Sequence, residues 1–386
     1  MIQTLAVHGF RSLREVALNL GRVSVVTGAN GTGKSNLYRA FHLLADTASG
    51  RLIGALAAAG GLSSVLWAGP EQITGAMKRG EVPVQGTGRR LAPVSLQLGF
   101  TTDDFGYLID LGLPVPSSTM FGRDPMIKRE LIWAGPVLRP AATLVERTAR
   151  GVRVADGGGR AELSLDLSPW ASLLDELVDP LTHPDIAAVR DVVRGWRFYD
   201  SFRVDPDAPA RLPQVGTRTE VLSGDGHDLA PALATILESA WAQPLQQAVG
   251  DAFGGSTVTV TDHGGRFEIA LDQPGLLRPL SGRELSDGTL RYLLLAAALL
   301  SPRPPGLMVL NEPETSLHPE VLPALARLML RAAERCQLVV VTHSATLVAA
   351  LTDAGALHHE LVKPHGETEI ADQGLLTRPM WQWGSR

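Results

Sequence analysis

The sequence predicts an α/β fold, and three observations carry that prediction. A glycine-rich loop, Gly28 to Ser35, lies between a short apolar run, Val23 to Thr27, and a helix-forming stretch, Asn36 to Leu44. Two more continuous apolar runs, Gly306 to Leu310 and Leu338 to Thr342, have the composition of parallel strands buried on both faces. Between the loop and these runs, Val94 to Phe100 and Gly106 to Leu111 alternate like half-exposed antiparallel strands, the mark of a separate β subdomain.

Taken in order, Ile2 to His8 and Val16 to Leu20 are predicted strands joined by a turn at Gly9 to Leu13. Ala45 to Arg90 turns to alanine, glycine and small polar residues, which supports helix and loop and nothing finer. Lys128 to Val154 continues the β subdomain. Pro169 to Val193 has helical spacing broken by Pro180 and Pro184. Trp196 to Arg203 interleaves aromatics with arginines; such a stretch can stack bases, but a strand packed on a core is the commoner reading. Leu229 to Ala248 reads as one helix interrupted at Pro231 and Pro244, and Val321 to Ala333 as another. No heptad array and no repeat of solenoid period occurs.

The chain has 386 residues, is 45% hydrophobic and carries a net charge of −5, enough apolar content for a real core and no global attraction to nucleic acid. One segment departs from that balance. Residues 123–160 hold eight basic side chains (Arg123, Lys128, Arg129, Arg139, Arg147, Arg150, Arg153, Arg160) against four acidic ones, a candidate DNA-backbone surface or simply solvated strand faces. The single cysteine, Cys336, forms no intramolecular disulfide and lies beside an apolar run, as a buried inert thiol would. Met1 to Leu13 has no signal-peptide character, and no apolar run approaches the roughly 20 residues a bilayer span needs. A cytoplasmic protein without membrane contact is expected.

The loop Gly28-Ala29-Asn30-Gly31-Thr32-Gly33-Lys34-Ser35 has the G-x-x-x-x-G-K-[ST] form. In that form the backbone around Asn30, Gly31 and Gly33 wraps phosphates, Lys34 reaches the β/γ oxygens, Ser35 ligates Mg²⁺ and Asn36 opens the helix. A second anion-binding helix start is Leu285-Ser286-Asp287-Gly288, where Ser286 or Asp287 suits an N-cap and the Gly288 amide is free to donate. The strand Gly306 to Leu310 delivers Asn311-Glu312-Pro313-Glu314, and a carboxylate such as Glu312 at a strand end can orient and deprotonate an attacking water. Leu338 to Thr342 similarly ends at His343.

Together these stretches resemble the ATPases of the RecF/SMC/OLD-like branch of the ABC superfamily, of the kind labelled AAA family predicted ATPase. The N-terminal strand, the G-F-R-S turn at residues 9–12 and the loop itself look like the opening of such proteins, which would put Arg11 near the nucleotide. Leu285 to Arg291 is similar to the ABC signature, in an L-S-D-G-T form. Asn311-Glu312 resembles Walker B with Asn in the usual Asp position, Ser316 to Pro319 resembles the D-loop, and Thr342-His343-Ser344 the switch histidine. A Q-loop glutamine has two candidates, Gln72 and Gln97.

The resemblance implies an ABC-type head with a mixed sheet, an antiparallel β subdomain and an inserted helical lobe: residues 1–44 and 220–386 as nucleotide-binding core, 45–219 as the insert. It implies a Mg²⁺-dependent ATPase acting as a homodimer with two composite ATP sites. In each, Lys34, Ser35, Glu312 and His343 serve one nucleotide, and Ser286 with Gly288 serves the partner's. Asn311 would hold Mg²⁺ with one charge less than aspartate, so turnover could be slow. Coiled-coil arms are absent, and the stretch after Ser344 is too short for a Toprim nuclease domain. Three settings follow: DNA repair or genome maintenance, with DNA on residues 123–160; the ATPase subunit of a multi-component anti-phage system whose effector is encoded nearby; and, least favoured, a transporter ATPase.

Overall fold

Strands β1 (Ile2–Phe10) and β2 (Leu13–Asn19) form an antiparallel hairpin, Val7 opposite Val16 and Leu5 opposite Leu18. After β3 (Val23–Gly28) and the 14-residue helix Lys34–Thr47, the chain builds six more strands: β4 (Leu96–Thr102), β5 (Phe105–Gly112), β6 (Met126–Ala134), β7 (Thr143–Thr148), β8 (Gly151–Asp156) and β9 (Gly159–Leu163). These join the hairpin in one eight-stranded antiparallel sheet, ordered β2-β1-β4-β5-β6-β7-β8-β9. The N-terminal hairpin is therefore part of the β subdomain, because β1 pairs with β4 along its other edge. This computed structural model describes all residues except 71–73, 80, 82–92, 117, 157–158, 164–166, 178, 375 and 385–386.

The chain divides into two units: 1–21, 27–196 and 359–386 make one, and 22–26 with 197–358 make the other. In the first, strands β4 to β6 are buried along most of their length. Trp196 packs edge-on against Phe41 and Phe100, tying the loop helix to β4. Trp381 packs on Trp133 of β6 and on Trp383, so the C-terminal tail covers one patch of the sheet.

The second unit adds β10 (Arg197–Tyr199), β11 (Gln214–Val215), β12 (Thr257–Asp262), β13 (Arg266–Asp272), β14 (Leu280–Ser281), β15 (Leu307–Asn311) and β16 (Gln337–Val341). Strand β15 pairs in parallel with β10 on one side and with β16 on the other, and β16 pairs in parallel with residues 23–26 of β3. The apolar runs behave as the sequence predicts: Leu307 to Leu310 and Leu338 to Val341 are all buried. Helix Asp287–Leu299 is buried from Leu290 onward, with the helices around it closing the core. The chain ends with β17 (Leu357–Val362) paired to β18 (Glu369–Ile370).

One expectation changes, and another holds with a shorter strand. Residues 229–248 are not one interrupted helix but parts of two, Leu229–Leu237 and Ala242–Ala252. Pro231 and Pro244 both fall in the first turn of a helix, where the missing N–H has no intrahelical partner to lose, so the prolines mark starts and the break falls at 238–241. Pro184 likewise opens the helix Pro184–Arg194. In Trp196 to Arg203 only residues 197–199 are strand, and Trp196, Tyr199 and Phe202 are buried core, which leaves these rings unavailable to stack on bases.

Candidate nucleotide site

The phosphate loop leaves β3 with three glycines at positive φ, Gly28 (146°), Gly31 (81°) and Gly33 (113°). At Gly33 no side chain fits: a Cβ would lie 2.3 Å from Thr368 Oγ1 and 2.9 Å from Ser12 Oγ. Gly33 is also the N-cap of the loop helix and supplies no side-chain cap, so the first-turn amides are left for a ligand. Lys34 is buried and folds back across the loop, donating from Nζ to the carbonyls of Gly28 at 2.6 Å and Ala29 at 3.2 Å. Asn30, Gly31 and Ser35 are exposed. Asn36 plays a different part from theirs, since its side-chain amide donates to Ser12 Oγ at 2.9 Å. The Thr368 hydroxyl donates to the Thr32 carbonyl and is hydrogen-bonded to Ser12 Oγ, so the C-terminal β17–β18 region braces the loop from outside, which no local motif announced.

Arg11 holds a left-handed conformation, φ 49°, next to this brace. Its Nε is buried without a partner, and burial, then the like charge of Arg39, lowers its pKa. An anion beside it would relieve both. Arg11 and Ser12 line a cleft of about 720 Å³ with Trp67, Lys363 and His365, a wall that is part aromatic and part cationic.

In the second unit the parallel register brings strand ends together. Asn311 pairs with Val341 and Val341 with Val26, two residues before the loop begins. Glu312 N–H donates to the Val341 carbonyl at 2.7 Å, and Thr342 N–H to the Val26 carbonyl at 3.0 Å, so Glu312 and His343 step off adjacent strands at one edge. Glu312 has φ 48°, a left-handed conformation that costs a non-glycine residue on the order of 1 kcal/mol. Arg291, buried in the helix Asp287–Leu299, holds it by donating from Nη2 to the Glu312 carbonyl at 3.2 Å. Burial lowers the Arg291 pKa, against the opposing pull of Glu314, Asp200 and Glu312.

Ser286 is the N-cap of that helix: its Oγ accepts from Thr289 N–H at 3.1 Å, and both it and Asp287 face solvent. A Cβ on Gly288 would lie 2.8 Å from the Ser316 carbonyl, so the D-loop backbone packs directly on the signature glycine. Asp287 is held by Arg211, which is buried and reaches it at 2.6 Å. Of the two Q-loop candidates, Gln72 lies outside the described residues. Gln97 sits on β4 with its amide buried against the Asp110 carboxylate, at 2.9 Å.

As for a cation, among the described residues no three His, Cys, Asp or Glu side chains cluster as a metal cage. Mg²⁺ carried with ATP needs none, because phosphate oxygens and water fill most of its octahedron. The hydroxyl of Ser35 and the amide oxygen of Asn311 are oxygen donors suited to such an ion.

The basic stretch 123–160 loses much of its apparent charge on folding. Arg129 and Arg147 are buried, the latter 3.5 Å from Glu130, and Arg153 and Arg160 both lie within 4.0 Å of Glu146.

A family model described as AAA domain, putative AbiEii toxin, Type IV TA system, matches residues 23–349, most of the chain and every motif from the loop to His343. The chain belongs to this family. It is an ATPase of AAA/ABC type on an α/β frame of parallel and antiparallel sheets. Three solved structures are similar. An Smc head bound to the C-winged helix domain of ScpA has 14% identity and a TM-score of 0.49, with 97% of this chain and 98% of that one covered. The SMC head domain from Thermotoga maritima has 16% identity and a TM-score of 0.44, covering 97% and 99%. An Smc head domain with an extended coiled coil, bound to the C-terminal domain of ScpA derived from Pyrococcus furiosus, has 12% identity and a TM-score of 0.49, covering 97% and 96%. No curated protein matches this AAA-family chain. No helix among its described residues is long and apolar enough to cross a membrane.

Proposed function

We propose that the protein is a Mg²⁺-dependent ATPase that dimerises around two ATP molecules and reopens on hydrolysis. The observation that carries this reading is the register Val26–Val341–Asn311, since in a parallel sheet it starts the phosphate loop, His343 and Glu312 from the same edge. Lys34 and the amides at Asn30, Gly31 and Gly33 hold the β- and γ-phosphates, and Arg11 with the Trp67 cleft takes the rest of the nucleotide. Ser35 and Asn311 hold Mg²⁺, which when bound draws charge from the phosphate oxygens. Glu312 accepts a proton from the attacking water. His343 contacts the terminal phosphate. Ser286 and the Gly288 amide of a second copy close the site, as their exposure at the helix start allows. Because Asn311 brings no negative charge, Mg²⁺ binds less tightly than with aspartate and turnover is slow.

The test is sedimentation of the Glu312→Gln variant with and without ATP. Binding without turnover traps the closed state, so ATP should move the variant from monomer to dimer, or close an already dimeric form; no change in either respect overturns the sandwich. For the setting we favour the multi-component defence system over DNA repair, because the family is described as a putative toxin of a type IV toxin–antitoxin system, which has more than one component. The burial and pairing of four of the eight cations in 123–160 point the same way. Hydrolysis stimulated by duplex or single-stranded DNA, and lost with salt, would reverse that preference.

A further inference from the structure

Glu314 is the buried acid of the strand-end loop. Its side chain is 7% exposed, whereas the imidazole of neighbouring His343 is 59% exposed. Oε1 of Glu314 accepts from the Thr342 hydroxyl at 2.6 Å and from the His343 backbone N–H at 2.9 Å, and lies 3.2 Å from His343 Nδ1. Oε2 is shut off from solvent and has no hydrogen-bond partner. A carboxylate in this position is costly unless charges or donors face it. Besides the two donors to Oε1, Arg291, from the helix behind, and the histidine ring face it. An imidazole with a lone pair on Nδ1 would set two electron-rich atoms against each other at 3.2 Å. The neutral Nδ1–H form and the imidazolium both avoid this, because each turns an N–H to the carboxylate.

We propose that Glu314 is a positioning residue for the hydrolysis described above: it takes an N–H from Nδ1 of His343 and so turns Nε2 outward, where the ring donates to a bound phosphate when it carries its second proton and accepts from water when it does not. This rests on the ATPase reading for its consequence but not for its geometry. It also separates the two carboxylates of Asn311-Glu312-Pro313-Glu314: Glu312 faces the reacting water, while Glu314, with Oε1 already engaged, acts through the histidine. Through Thr342 Oγ1 and the His343 amide the same oxygen also fixes the backbone that presents the ring, as carboxylates behind histidines do elsewhere in proteins.

Two measurements on the full chain test this. The first is ¹⁵N NMR of the labelled histidine side chains above the ordinary imidazole titration range, with His343 assigned by its substitution. The wild type should show the Nδ1–H tautomer, Glu314→Gln should keep it through the amide oxygen, and Glu314→Ala should release it; an Nε2–H tautomer in the wild type overturns the proposal. The second is a double-mutant cycle on kcat. Glu314→Ala should lower kcat about tenfold or more with KM changed less than about twofold. In the His343→Ala background the same substitution should change kcat less than about twofold. Losses that multiply in the double variant show that Glu314 does not act through His343 and also overturn the proposal. If Glu314→Ala fails to fold, the wild-type tautomer still decides. A wild type that hydrolyses no ATP defeats the functional reading, and the tautomer then tests the Glu314–His343 contact independently of it.

Discussion

Arg211 donates from Nη2 to the carboxylate of Asp287 at 2.6 Å, and the same guanidinium reaches the carbonyls of Val204, Gly282 and Leu285. The arginine side chain is 5% exposed and the aspartate 61%. The residue that departs from the signature glycine is thus one solvent-facing end of a buried hub, and the two partners should differ in their effect on stability. Arg211→Met leaves several buried carbonyls without a donor and should cost about 3 kcal/mol. Asp287→Ala removes one exposed partner and should cost less than about 1 kcal/mol. Urea unfolding of both variants checks this; an Asp287→Ala loss equal to that of Arg211→Met would refute the hub.

The loop glycines are predicted to be unequal. Gly33→Ala combines φ +113° with a contact of 2.3 Å to Thr368, so the loop and its brace must shift apart. Gly31→Ala has φ +81° but nothing within 4 Å, leaving only backbone strain of about 1 kcal/mol. Titration with a fluorescent ATP analogue should show binding reduced far more by Gly33→Ala than by Gly31→Ala, with Lys34→Ala as the blank.

Arg291 is predicted to act on turnover rather than on affinity. It holds the left-handed Glu312 through the main chain, 3.2 Å from the carbonyl, so Arg291→Gln should let the carboxylate drift from its aim. Steady-state kinetics should give kcat lower by about tenfold and KM within about threefold of wild type. A change confined to KM would place Arg291 with nucleotide binding.

Cys336 supplies a pH dependence of known sign. Burial pushes its thiol pKa up to about 11, with Arg335 and Arg22 pulling weakly the other way. Because the folded value lies above the unfolded one, the stability linked to this group is complete below the ordinary thiol range near 8.5–9 and is lost as pH rises through about 11. Wild type should lose more stability than Cys336→Ala between about pH 8 and 11 in urea unfolding, and iodoacetamide should label the native thiol slowly and the denatured one fast.

Among site residues, those that announce themselves in the sequence sit in contiguous motifs whose backbone conformation is local: Gly28 to Ser35, Leu285 to Gly288, Asn311-Glu312, His343. A run such as Leu338 to Val341 must be buried on both faces, and its end is a strand end wherever it packs. Arg211, Arg291 and Thr368 carry no such mark, since each acts across a long stretch of chain: Arg211 lies 76 residues from Asp287, and Thr368 lies 356 from Ser12. Counting charge over 123–160 fails for the same reason, because Arg129 and Arg147 have the composition of surface residues and are buried.

The amino-acid sequence alone determined which loop has the phosphate-binding form and which strands end in Asn311-Glu312 and His343. Spacing within a strand, a turn or one helix start is enough for that, because such geometry is set by neighbouring residues. Only the tertiary structure decided that the first hairpin belongs to the eight-stranded sheet, that Arg211 holds Asp287 and Arg291 the Glu312 carbonyl, and that Glu314 stands behind His343. Those contacts depend on which distant surfaces are buried together, and burial is a property of the whole packed core.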